Sequence, residues 1–146
     1  MQVIITSKVK GELDWVYSNF DAELFSYLLP PGAKLIAFGG SEKGAIVHLK
    51  LPVAGEWISE IIEEESTEGQ RYFIDVGKKL PFPLASWHHK HLLTQVNSHV
   101  RIEDRMSFST GFFLFDVMVA PFLWLAFIPR KWQYKSYFKN IRRKAS

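Results

Sequence analysis

The chain contains no cysteine. Disulfides and thiolate metal sites are therefore excluded, which suits a reducing, cytoplasmic setting. The amino terminus, "MQVIITSKVKGELDW", lacks a basic stretch followed by an apolar run of about 7–15 residues, so it does not read as a secretory signal. No Gly-rich phosphate loop, Ser–His–Asp order or two-metal carboxylate set is present. No internal repeat and no Pro/Gly/Ser linker divides residues 1–146, so one domain is expected. Aromatic residues do not alternate with basic ones as in a base-stacking platform, so nucleic acid is not an expected partner.

Bulky apolar residues are abundant. Twelve Phe, five Trp and five Tyr in 146 residues supply a large core or an apolar cavity. Charge is uneven as well. Residues 130–146 hold seven of the eighteen basic residues and no acid, which leaves residues 1–129 acidic overall despite the net +3.

The β-branched run "QVIITSKV" predicts a first strand. Two short helical pieces follow, "LDWVYSNF" and "DAELFSYLLPP", the second capped by Asp21 and stopped by Pro30–Pro31. Six further strand-type runs lie between residues 33 and 109, with corners at Gly39–Gly40, Gly55, Gly69 and Asn97–Ser98. The acidic run "EIIEEESTEG" reads as a solvated hairpin tip. After Thr110 the pattern turns helical, and Tyr134, Tyr137, Phe138 and Ile141 recur at i, i+3, i+4 and i+7. Lys131, Lys135 and Lys139 form a basic stripe on another face.

Residues 111–129, "GFFLFDVMVAPFLWLAFIP", meet the minimum length of a membrane span and precede basic residues. Asp116 inside the apolar layer would cost about 2.5–3.5 kcal/mol. The antiparallel sheet also needs a cover for its apolar face. A soluble core helix is therefore the favoured reading, ahead of peripheral membrane contact or a true span.

The stretch "SWHHKHLLTQV" carries three of the five histidines. If Asn97–Ser98 is a two-residue turn, Trp87 faces Phe108, His89 faces Met106, His91 faces Asp104 and Leu93 faces Ile102. These eight share one sheet face. His88, Lys90, Leu92 and Thr94 share the wet one. Two histidines and a carboxylate thus lie among apolar residues, and a buried polar group without a partner costs about 1–3 kcal/mol. Three readings follow: a packed His91–Asp104 pair, a polar anchor in a ligand cavity, or a 2-His-1-carboxylate metal face, the last the least favoured for want of further ligands. His91 with Asp104 is also the candidate catalytic base.

The segments "FIDVGKKLPFPLASWHHKHLL" and "IEDRMSF" resemble the START-like (SRPBCC, Bet v 1-like, polyketide-cyclase-like) ligand-binding superfamily. The nearest branch is that of bacterial proteins labelled cell-division-inhibitor-like. Phe73, Asp75, Pro81, Phe82, Trp87, His89, His91 and Asp104 match that branch's motif in order. "LPFP" departs from its usual Gly-Pro-Phe, and residues 111–129 are more apolar than in relatives.

The resemblance implies an α+β helix-grip fold: a curved antiparallel sheet of about seven strands wrapped round a long C-terminal helix, with short helices after strand 1. It implies a hydrophobic or amphipathic small-molecule ligand between sheet and helix. Phe112, Phe115, Val119, Phe122 and Trp124 are the candidate helix-side wall. Trp87, Met106 and Phe108 are the candidate sheet-side wall, and His89, His91 and Asp104 the polar anchor. No cofactor or metal is expected. A binding module is favoured over a cyclase- or hydratase-type enzyme, and over a membrane-associated regulator acting through the basic C-terminal helix. Peripheral membrane contact and a homodimer remain open.

Overall fold

The computed structural model describes residues 1–145. Its first strand, β1 (Gln2–Lys10), leads into α1 (Leu13–Ser18) and α2 (Ala22–Leu28). Then come β2 (Lys34–Phe38), β3 (Ile46–Leu51), β4 (Gly55–Thr67), β5 (Gln70–Lys79), β6 (Ser86–Val96) and β7 (His99–Ser109). Two helical segments close the chain, α3 (Phe113–Phe127) and α4 (Arg130–Ala145). The seven strands form one antiparallel sheet in the order β1-β7-β6-β5-β4-β3-β2. Five of the six neighbouring pairs join successive strands, and the sixth sets β1 beside β7. This is the expected helix-grip architecture.

Strand positions follow local chemistry. β1 alternates buried and exposed residues along its length and β7 buried and mostly half-buried ones, the period of a strand with one covered face. The β6–β7 turn falls at Asn97–Ser98, where Asn97 takes the left-handed conformation (φ 57°) that Asn tolerates better than most residues. The predicted register holds: Trp87 pairs with Phe108, His89 with Met106, His91 with Asp104 and Leu93 with Ile102. Leu92 is an exception on the outer face. It is buried, flanked in register by Tyr72 and Glu103. Asp21 caps α2 by accepting from the Leu24 amide at 3.0 Å.

The concave face carries two apolar clusters. One joins Val9, Leu93, Val100 and Ile102 of the sheet to α1, α2 and the stripe Tyr134, Tyr137 and Phe138 of α4, with Ile141 packed against it. The other joins Val3, Ile5, Trp87, Met106 and Phe108 to Val119, Ala120, Leu123 and Phe127 of α3. Along β6 and β7 a polar layer separates them, made by His89, His91 and Asp104. The helix is interrupted at the same level. Pro129 cannot donate a backbone hydrogen bond, and Ile128 and Pro129 form a turn between α3 and α4.

One expectation for 111–129 needs correction. α3 covers the second cluster with a narrow inner face only, and most of its large side chains point outward. Phe112 is 68% exposed, Phe113 72%, Leu114 75% and Phe122 73%. The helix is apolar on both its sheet-facing and its outer sides. Asp116 does not sit mid-layer. It lies in the first turn, where it accepts from the Thr110 amide at 2.6 Å and the Thr110 hydroxyl at 2.7 Å. Those bonds hold its carboxyl below the usual carboxylate range.

Candidate functional site

Three adjacent strands build the polar layer in two rows. Asp75, His89 and Met106 face one another across β5, β6 and β7, and Phe73, His91 and Asp104 form the next row. The hydrogen bonds run diagonally between rows. His91 Nε2 donates to Asp75 Oδ2 at 2.9 Å, and His89 Nε2 donates to Asp104 Oδ1 at 2.9 Å. An ionised carboxylate can only accept, which fixes both Nε2 atoms as the donors. The directly opposed pair predicted from the sequence, His91–Asp104, is the weaker contact, with Nδ1 3.3 Å from Oδ1 and no hydrogen-bond geometry.

Arg130 completes the layer from the first turn of α4. Its Nη1 donates to Asp104 Oδ1 at 2.9 Å and to the Tyr134 hydroxyl at 3.3 Å. Its guanidinium lies 4.6 Å from the centre of the Phe127 ring, a cation–π contact. The ring of His91 stacks on Phe73 at 4.2 Å, and the two imidazoles lie 3.7 Å apart. Trp87 and Phe127 meet His89 edge-on.

Burial and pairing set the charges. Burial alone would raise the Asp104 carboxyl. The Arg130 guanidinium and the two histidines outweigh it and hold Asp104 well below the usual carboxylate range. Asp75 is also lowered: burial opposes, but the bond from His91 and the positive charge nearby prevail. Burial, reinforced by its His91 neighbour, pulls His89 down to about 4 against the pull of Asp104 and Asp75. His91 shares that burial, but its contacts with Asp104 and Asp75 outweigh it and raise it. Near neutrality Asp75 and Asp104 are anionic, Arg130 is cationic and His89 neutral, while His91 holds its proton to higher pH than a free imidazole. The buried carboxylates are thus set against Arg130 and the histidines, as buried charges require.

Beside this layer is a cavity of about 70 Å³, lined by Asp75, His89, His91 and Arg130 together with aromatic and aliphatic side chains including Phe25, Phe38, Trp57, Phe73, Trp87 and Phe127. A second cavity of about 170 Å³ shares Leu29, Leu49, Trp57, Phe127 and Arg130 with it. It reaches the surface at Pro30 and Ala126, both exposed.

Of the sequence-derived candidates, Trp87, His89 and His91 line the first cavity, while Asp104 is wholly buried behind them. Met106 and Phe108 are buried in the second apolar cluster, against which Val119 packs. Phe112, Phe115, Phe122 and Trp124 point outward, and the α3 residues beside the cavities are Leu123, Ala126 and Phe127 instead. The heptad-like spacing of the apolar residues could not choose between faces, because nearly every position of α3 is apolar.

Two site residues escaped the sequence reading. Asp75 stood out only as a motif match, because the Pro-containing connection 80–85 leaves the β5–β6 register open. Arg130 was counted with the solvated basic tail, yet it lies four residues before Tyr134 and so on the buried stripe.

Asp75, His89 and His91 each offer a ligand atom within 4.8 Å of the others and could span a divalent cation. Such an ion would have to displace the His91 proton and tolerate the Arg130 charge. Arg130 and the two Nε2 donors already partner the carboxylates, while His91 Nδ1 and Asp104 Oδ2 are buried without a hydrogen bond.

No family model matches the sequence, and no curated protein matches it. Solved structures do. A protein from Nitrosospira multiformis superposes with a TM-score of 0.67 at 17% identity, over 98% of this chain and 99% of that one. XoxI from Bacillus cereus gives 0.66 at 16% identity over 97% of each chain. A point mutant of norcoclaurine synthase from Thalictrum flavum, in complex with a transition state analogue, gives 0.61 at 14% identity over 83% and 82%. These neighbours have the Bet v 1-like helix-grip fold, and this chain shares that fold.

Proposed function

We propose that the protein binds a hydrophobic or amphipathic small molecule in the space between the sheet and α3, with its polar end at the His89–His91–Asp75–Arg130 layer. One observation carries this reading: a layer of buried, paired charges borders a cavity otherwise lined mainly by aromatic and aliphatic side chains. Convergent polar groups at the end of an apolar space are the usual make-up of a small-molecule site.

The 70 Å³ space is below the roughly 300–1,000 Å³ of ligand-holding pockets. Occupancy therefore requires the two cavities to merge, and Phe127, which lines both, is the side chain proposed to turn. A polar end carrying a carbonyl, hydroxyl or carboxylate would meet Arg130 and His91 as donors. Placement in the cell-division-inhibitor-like branch belongs to this reading and rests on the Phe73-x-Asp75 and Trp87-x-His89-x-His91 motifs.

An enzymatic role has less support. His89 is held near 4, too acidic for an efficient base near neutrality, and both histidines already donate to carboxylates.

The test is to purify the protein, denature it and analyse the released small molecules by mass spectrometry. A co-purifying lipid or aromatic is the expected result. An empty protein that also fails to bind hydrophobic probes would sink the proposal.

A further inference from the structure

Among the described residues, nothing covers the outer face of α3. Besides the phenylalanines already described, Met118 is 65% exposed and Leu125 59%, and Trp124 and Trp132 stand outward at the basic end. Isolated exposed apolar residues are ordinary, but a continuous face along a whole helix marks an interaction surface. Charge identifies what covers it. From residue 117 to the end of the chain there is no acidic residue, and Lys131, Lys135 and Lys139 follow directly. Lys135, Lys139 and Arg142 also face Lys8 and Lys10 across a basic groove between α4 and β1.

We infer that α3 is a membrane-docking element: it seats its outer face in the interfacial layer of an anionic bilayer, while the basic face of α4 and β1 meets the lipid headgroups. A symmetric contact with a second copy through α3 would set one basic flank against the other, since no acidic residue follows Asp116, whereas an anionic bilayer supplies both apolar depth and negative charge. Trp124 and Trp132 lie where an apolar surface gives way to a basic one, the position favoured by Trp at a membrane boundary.

The helix docks and does not span. The helical run Phe113–Ala145 is long and apolar enough to cross a bilayer, but Val119, Ala120, Leu123 and Phe127 are packed on the sheet, contacts that a span would have to abandon. The mouth at Pro30 and Ala126 opens beside this helix, so docking would place it against lipid. The inference does not depend on the cavity holding a ligand.

The test is flotation of the full chain with vesicles of phosphatidylcholine alone and of phosphatidylcholine mixed with phosphatidylglycerol. Strong binding to the mixed vesicles, weakened by salt, is expected. The double variant Phe113→Glu/Phe122→Glu alters exposed positions, so its circular dichroism and melting should match the parent. Its partitioning should fall by roughly a hundredfold or more, the value of two phenylalanines withheld from an apolar layer. Lys131→Glu/Lys135→Glu should remove the preference for phosphatidylglycerol. No flotation with either vesicle, or flotation unchanged in the phenylalanine variant, would overturn the inference. So would a dimer in sedimentation that this variant dissociates while vesicles go unbound.

Discussion

Asp75 stands directly across from His89 in the β5–β6 register, yet its carboxylate takes its hydrogen bond from His91, the next inward residue on the same strand. The same offset recurs on the other side, where Asp104 opposes His91 and bonds His89. Diagonal neighbours across a sheet lie within reach of long side chains. The result is a crossed pair of carboxylate–histidine bonds held between three strands.

The Arg130–Asp104 pair should behave as a coupled unit. Asp104→Leu leaves the guanidinium buried without its partner and should cost about 3–5 kcal/mol. Adding Arg130→Met removes the stranded charge and should restore more than half of that loss, read from urea unfolding. Additive losses in the double variant would show the two residues to be independent.

The layer also sets a pH profile. Between about 6.5 and 4 the unfolded chain protonates His89 while the folded one does not, so stability should fall as pH drops through this window. His91 is raised in the folded state. Its contribution is present in full below its unfolded value and lost as pH climbs through its folded value. Asp75 and Asp104 are lowered, so their contribution exists above the ordinary carboxylate range and is lost as pH falls below it. Together these place the layer's greatest contribution near pH 6.5. Imidazole NMR titration checks the assignment, with His89 neutral down to about pH 4 and His91 still protonated above 6.5.

Phe127 lines both cavities. Phe127→Ala should merge them and strengthen binding of a small aromatic such as naphthol, followed by the indole NMR signals of Trp57 and Trp87. Full burial of a Phe would make its loss worth about 3–5 kcal/mol, and the half-buried Phe127 should cost less. Unchanged naphthol affinity in a folded variant would show that Phe127 is not the barrier.

The β6–β7 register and the inward face of β6 were legible because alternation of apolar and polar residues admits one register and rejects its neighbour. The buried stripe of α4 was legible for the corresponding helical reason, Tyr134, Tyr137 and Phe138 recurring against lysines. Two parts were not. Asp75 depends on a register that no tight turn fixes. The face of α3 toward the sheet is not encoded in contrast at all, since Phe115 and Phe122 outside are as apolar as Leu123 and Phe127 inside. There, only the position of the helix on the sheet decides which side chain is covered.

The interruption at Ile128–Pro129 divides the molecule into halves of unequal tenacity. α4 is anchored by Tyr134 and Phe138, both essentially inaccessible, whereas α3 rests on half-buried side chains and carries Pro121, which removes one of its own backbone bonds. Amide hydrogen exchange should therefore find α3 opening at lower free energy than α4 or β6–β7, as a separate cooperative unit. The helix that faces outward is thus also the one the rest of the protein can release without unfolding.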